Sequence, residues 1–258
     1  MKIEKSAFYI FTVIFSLHSS AFAEPSADMK IEKSAFYIFT VIFSLHSSAF
    51  PEPSVADIQY RAEQGQSVAQ YHLGMMLLSG EQGVVKNYEQ AFKWLTVADQ
   101  NGSMGAKYSL GMMYYTGTGV EKDAKRAFDY FTKAAAKDHA KAQYNLGVLY
   151  DRGEGTAQDY GKAFEWFSRA AKQGYPPAEY NLAHLYKKGH GVSQSDEQAL
   201  KWYTKAAEHN ESDAQYNLAQ MYLNGEGTPK NLQLAKKWFQ QAADAGDVDA
   251  KEMLKSLE

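Results

Sequence analysis

Cysteine is absent from this chain of 258 residues. That excludes a disulfide framework, a thiolate zinc site, a cysteine nucleophile and a lipid-modified N-terminal cysteine. An excess of either charge is also missing: 27 Lys and Arg stand against 30 Asp and Glu, with a net charge of -3 and a pI near 6.2. Binding to nucleic acid or to an anionic membrane would call for a basic surplus, so neither partner is expected. Long apolar runs are lacking too. The two near the N-terminus span about 11 residues, where a membrane-crossing helix needs roughly 20. What the chain does have is an ordinary globular balance, 45% hydrophobic and 22% charged, and many aromatics: 18 Tyr, 14 Phe and 4 Trp. Some rule must distribute those rings.

The N-terminus stands apart from that rule. Residues 1–22 and 29–50 carry the same string, MKIEKSAFYIFTVIFSLHSSAF. Each copy has a charged start, an apolar run and then small residues, which is the layout of a secretory signal peptide. Cleavage is expected after Ala21 or Ala23 in the first copy and after Ala49 in the second, where Pro51 displaces the later site. Met29 is taken as the working start. The other reading is that an uncleaved second copy anchors the protein to a membrane. The expected organisation is signal copy 1 over 1–28, signal copy 2 and a short leader over 29–55, and a folded domain over 56–258. The protein is expected to be periplasmic or secreted.

Beyond the leader, one unit recurs. Ala-x-Tyr-x-Leu begins at Ala69, Ala106, Ala142, Ala178 and Ala214, with intervals of 37, 36, 36 and 36 residues, and a sixth start falls at Ala250. Within the unit, apolar residues at positions 1, 5, 8 and 9 have helical spacing. Position 6 is Gly or Ala, which predicts a close helix crossing. The helix runs to a glycine at Gly80, Gly117, Gly153, Gly189 or Gly225, read as a helix stop. A second helix carries Ala-x-x-Trp-Phe-x-x-Ala-Ala, as in Ala163, Trp166, Phe167 and Ala170, with small residues facing large rings. Gly102, Asp138, Gly174, Asn210 and Gly246 follow it. These are the residue types that tolerate the left-handed conformation past a helix end. Ile58, Ala62 and Gly65 match the end of a second helix, and Ala250–Leu257 the start of a first. The fold class is therefore all-α: an α/α solenoid of about five 36-residue helix pairs between half-repeat caps.

Ala-x-Tyr-x-Leu-Gly, then Tyr-x-x-Gly-x-Gly, then Ala-x-x-Trp-Phe-x-x-Ala-Ala-x-x-Gly resembles the Sel-one-like repeat (SLR) family, a relative of the tetratricopeptide repeat. The likeness covers Ala56 to the C-terminus. It implies a right-handed superhelix with a concave face, and adaptor proteins that bind other proteins, often in the bacterial periplasm. A cysteine-rich branch of that family is disulfide-bridged, and some of its members carry a β-lactamase or penicillin-binding label. This chain lacks those cysteines.

Chemistry is hard to find. There is no Ser-x-x-Lys, no Gly-x-Ser-x-Gly and no His-Glu-x-x-His. Of the seven histidines, His18 and His46 lie in the signal copies. His72, His139, His184, His190 and His209 are scattered and read as solvent-facing. Glu154, Asp159 and Glu226 read as solvated turn residues rather than a calcium loop. No catalytic residue, cofactor or metal is expected. By the resemblance, first-helix positions 3, 7, 10 and 11 line the concave face. That gives Tyr71, Met75, Leu78, Tyr108, Met112, Tyr115, Tyr144, Arg152, Tyr180, His184 and Lys188 as groove residues. The groove is apolar and Met-rich at its N-terminal end and charged in the middle, with Asp151 and Lys187 adding to that charge. Met75 is equally readable as packed under the half-unit at Ile58 and Tyr60. The function expected is an exported, non-catalytic, monomeric scaffold that holds a protein or peptide. An immunity protein masking a secreted toxin is one version. A cell-wall or β-lactam hydrolase is the reading the missing Ser-x-x-Lys argues against.

Overall fold

The structure, a computed structural model, describes residues 53–257. Both signal-like copies and the leader up to residue 52 lie outside the described residues. Among the described residues there are twelve α-helices and no strand. Five first-type helices are α2 (Ser67–Ser79), α4 (Met104–Thr116), α6 (Ala140–Arg152), α8 (Pro176–Lys188) and α10 (Ser212–Asn224). Five second-type helices are α3 (Tyr88–Gln100), α5 (Ala124–Ala135), α7 (Tyr160–Lys172), α9 (Asp196–Glu208) and α11 (Leu232–Asp244). The half-units are α1 (Val55–Glu63) and α12 (Val248–Ser256). Each helix packs on the next in chain order, which makes the stack a solenoid.

The sequence sets both helix ends. All five first-type helices stop on the expected glycine, held at φ between 68° and 77°. Each second-type helix starts on a side chain that accepts a backbone N–H of its first turn: Asn87, Asp123, Asp159, Ser195 and Asn231. These caps recur in register and supply acceptors to the orphan N–H donors of the helix start. The backbone N–H of each then reaches back to the carbonyl of position 9 in the preceding helix, Asp159 to Tyr150 at 2.9 Å for example, and so fixes the loop. Asp159, expected to be a solvated turn residue, is thus a helix cap. Past the second-type helices the backbone is left-handed at Asp138 and Asn210 as well as at the glycines there.

The core is the row of Leu95, Phe131, Phe167, Tyr203 and Phe239, all at most 2% exposed, set against the buried leucines of position 5. Burying each such side chain contributes about 1.5–3 kcal/mol. The small residue at position 6 is where they sit. A Cβ added at Gly147 would lie 2.7 Å from Cδ1 of Phe167, and one at Gly111 equally close to Phe131. The Trp94, Tyr130, Trp166, Trp202 and Trp238 series is half-buried and joins neighbouring parts of the core.

The second glycine of Gly-x-Gly has a role that the helix-stop reading missed. A Cβ at Gly155 would lie 2.2 Å from the carbonyl oxygen of Ala124, and one at Gly191 2.2 Å from that of Tyr160. Ala124 and Tyr160 are the first residues of α5 and α7. Each loop therefore rests on the start of the previous repeat's second helix. Among the described residues the first loop has no such helix beneath it, because there only the half-unit α1 precedes α2. There Gly83 has nothing within 4 Å, and a short 3-10 turn, Glu81–Gly83, takes up the extra residue of the 37-residue interval.

Candidate binding face

Positions 3, 7 and 10 fall on one side of a helix because they are four and three residues apart. In the first-type helices this side carries Tyr71, Met75 and Leu78, then Tyr108, Met112 and Tyr115, then Tyr144 and Val148, then Tyr180 and His184. All but His184 are half-buried. The tyrosines lean on the core at one edge, Tyr108 against Phe131 and Tyr144 against Phe167, and show their other edge to solvent. Burial raises the phenol pKa of Tyr108, Tyr144 and Tyr180, which keeps these rings neutral over the biological range.

Consecutive repeats touch along this face. The Tyr71 ring lies over Gly105, where a Cβ would come within 2.8 Å of its Cζ. Ser109 Oγ donates to Met75 Sδ at 3.4 Å. Asn145 Nδ2 donates at 3.4 Å to the Tyr108 hydroxyl and at 3.4 Å to Met112 Sδ. In the second and third repeats position 4, the residue after the tyrosine, thus ties one repeat to the last, whereas Asn181 and Asn217 at the same position donate to the carbonyls of Pro177 and Asp213 in their own helices. Met75 lines the face while packing against the core that contains Ile58; Tyr60 of the half-unit does not cover it, being 62% exposed.

Two depressions mark the face. The first, of about 380 Å³, gathers Tyr71, Met75 and Tyr108 with Ser109, His139 and Lys141. The second, of about 350 Å³, gathers Tyr180 and His184 with Asp151, Asn181, Tyr160 and His190. Leu78, Met112, Tyr115, Tyr144, Arg152 and Lys188 line neither. Arg152 Nη1 reaches the Tyr115 hydroxyl at 3.5 Å and lies 3.8 Å from the Glu154 carboxylate, with its side chain 60% exposed. Lys188 is exposed.

Three expectations need correction. The histidines are not all solvent-facing: His139 is half-buried, stacks on Tyr108 at 4.7 Å and caps α6 by accepting the Ala142 N–H on Nδ1. His209 is exposed as expected, yet pairs with the buried carboxylate of Glu179 at 2.9 Å. Glu226 is not a solvated turn residue. It meets Lys187 at 2.6 Å, and Asp196 meets the same ammonium at 3.1 Å. Lys187 is therefore occupied within the solenoid and adds no free charge to the face. His184 is exposed, and its pKa is lowered by partial burial and by the charge of Lys188, against a weaker pull from Asp151. Among the described residues, no three His, Cys, Asp or Glu side chains are grouped to hold a metal.

Stacked helix pairs whose side chains meet from repeat to repeat along one continuous face make this a helical-repeat scaffold. The Sel1 repeat family matches residues 67–98, 105–139, 140–175, 176–211 and 212–247, and the chain belongs to that family. Sel1 repeats generally mediate protein–protein interaction, and the family is generally a non-catalytic scaffold. Among solved structures, a protective antigen of uropathogenic Escherichia coli displaying an SLR fold is 34% identical, with a TM-score of 0.73 over 76% of this chain. The chain spans 42% of that antigen's length. A Sel1 repeat protein from Oxalobacter formigenes is 34% identical, with a TM-score of 0.69 over 74% of this chain and 76% of that one. A sel1 repeat protein of Klebsiella pneumoniae shares the fold at 21% identity and a TM-score of 0.51, over 79% of this chain and 99% of that one. No curated protein matches the chain.

Proposed function

We propose that the protein is an exported, non-catalytic scaffold that holds another protein or a peptide on the face of its first-type helices. The observation that carries this reading is the run of half-buried Tyr and Met side chains from Tyr71 to Tyr180, each with one edge against the core and one toward solvent. Tyrosine offers large contact area at low entropic cost, and methionine adapts to irregular surfaces. A protein surface outside a binding site rarely keeps such a row uncovered. Export is inferred from the signal-like copies alone.

The test is affinity capture from the native envelope fraction with the wild-type chain and with Met75→Glu/Tyr115→Ala. A partner retained by the wild type and lost by the folded variant supports the site. Equal retention refutes it. Intact mass of the exported protein settles the leader: a mature start near Phe50 is expected, and a retained second copy would favour the anchored form.

A further inference from the structure

We infer that the occupant of this face is an extended acidic peptide segment, with one apolar side chain seated among Tyr71, Met75 and Tyr108 and a carboxylate held by Arg152 and Lys188. The inference rests on the binding reading above and adds the chemistry of the partner. Its ground is how charge is distributed along the face. In α2 and α4, positions 3, 7, 10 and 11 are Tyr71, Met75, Leu78 and Ser79, then Tyr108, Met112, Tyr115 and Thr116, and none is charged. In α6 and α8, position 11 is Arg152 and then Lys188, both exposed. In α10 the same positions return to uncharged Tyr216, Gln220, Leu223 and Asn224. The cationic stretch is thus bounded on both sides.

The carboxylates flanking these two side chains do not cancel it, although Glu211 and Asp213 act on tyrosines of the same face, Glu211 on Tyr144 and both on Tyr180. Lys187 already takes Asp196 and Glu226. Asp151 is half-buried in the second depression beside His184. Glu154 stands 3.8 Å from Arg152, at the edge of ion-pair range. Lys188 has no ion pair among the described residues. A guanidinium left this open can take a partner carboxylate through two parallel N–H donors. A polyanion such as nucleic acid is disfavoured by the chain's overall charge of -3.

Spacing sets the register of the peptide. Packed helices lie 8–10 Å apart, so two repeats separate the apolar depression from Arg152 and Lys188 by about 20 Å. An extended chain covers that distance in about six residues.

The experiment uses the full chain and short labelled peptides read by fluorescence anisotropy. Each peptide carries a Leu or Phe, a neutral spacer of about six residues and a pair of Glu, made in both orders. Counterparts carry Lys for Glu. At least one Glu peptide should bind about tenfold more tightly than its Lys counterpart, with the gap narrowing as salt rises. Arg152→Glu/Lys188→Glu, with unchanged melting, should reverse that order. No binding to the folded wild type, equal binding of the two peptide classes, or a Glu preference that survives the reversal would overturn the inference. The Met75→Glu/Tyr115→Ala variant separates the two levels. Charge-indifferent binding that this variant abolishes sinks only the acidic assignment. Binding that it leaves intact sinks the face itself.

Discussion

Gln215 is 3% exposed, and its side-chain oxygen finds no hydrogen-bond partner among the described residues. The other repeats show what it lacks. In the first, third and fifth repeats position 2 is a buried Gln that donates to the last turn of the preceding helix: Gln70 to the Ala62 carbonyl, Gln143 to Ala135, Gln215 to Ala207. Its oxygen is then met by the residue capping its own second helix, Asn101 at 2.9 Å for Gln70 and Gln173 at 2.7 Å for Gln143. In the fifth repeat that residue is Ala245, which has nothing to donate. Ala245→Gln should therefore stabilise the protein by about 1 kcal/mol, since an unmet buried acceptor gains a partner. Urea unfolding checks it; an unchanged or lower midpoint would mean that the oxygen is satisfied some other way. This clamp was legible in the sequence, because Gln70, Gln143 and Gln215 recur in register with Asn101, Gln173 and Ala245. An apolar search passes over it. A second residue-scale effect concerns His139. Burial, aided by the charge of Lys141, lowers its pKa, and the neutral Nδ1 is the form that caps α6. A histidine with a depressed folded pKa adds stability that is complete above its unfolded value of about 6.5 and is lost as pH falls toward the folded value. The drop in melting temperature from pH 7.5 to pH 5 should thus be smaller in His139→Asn, which keeps a capping oxygen without titrating. An identical drop in the two proteins would disprove this.

At the scale of the element, the chain announces its helices because apolar spacing and glycine stops point to the same ends, and side-chain caps add to them at every second-type helix. The ends of α6, for instance, follow from His139 and Gly153. Contacts between repeats are less legible. Gly191 reads as the tail of a helix stop until Tyr160 is seen beneath it, thirty-one positions back along the chain. Gly83 and Gly191 make a matched pair, with φ of 77° and 70° but open space at one and a carbonyl 2.2 Å from a new Cβ at the other. Gly83→Ala should cost only the left-handed strain, about 1–2 kcal/mol. Gly191→Ala should cost at least about 1 kcal/mol more, because the loop must lift off the start of α7. Denaturant unfolding of both variants isolates the contact. Equal losses would show that the loop does not bear on the previous repeat.

At the scale of the whole molecule, the repeats are held, among the described residues, only by their neighbours, and the two half-units there have a neighbour on one side. Their sequences suit that place. In α1 the residue matching Leu95 is Ile58, which stays buried, but the one matching Trp94 is Asp57, half-buried and paired with Arg61 at 3.0 Å. In α12 the residue matching the small position 6 is Lys255, also exposed. A polar side chain where an inner helix would present a ring or a glycine leaves no apolar surface to stack upon, so the core closes. The cost is thin packing at the ends. Only Ala250 is buried in α12, and only Ile58 and Ala62 in α1, whereas α4 buries Ala106, Ser109, Leu110, Gly111, Met113 and Tyr114. Opening free energy follows such local burial. Amide exchange under native conditions should therefore be fastest in α12, next in α1, and slowest from α4 to α9, with protection rising inward repeat by repeat. The binding face from Tyr71 to Lys188 spans those slow repeats and the one flanking them on the N-terminal side. It would then be presented largely on the most rigid part of the stack, and a partner would meet a surface ordered before it arrives. Exchange in α12 as slow as in α6 would mean that the solenoid opens as a single unit, and the gradient from its ends would not exist.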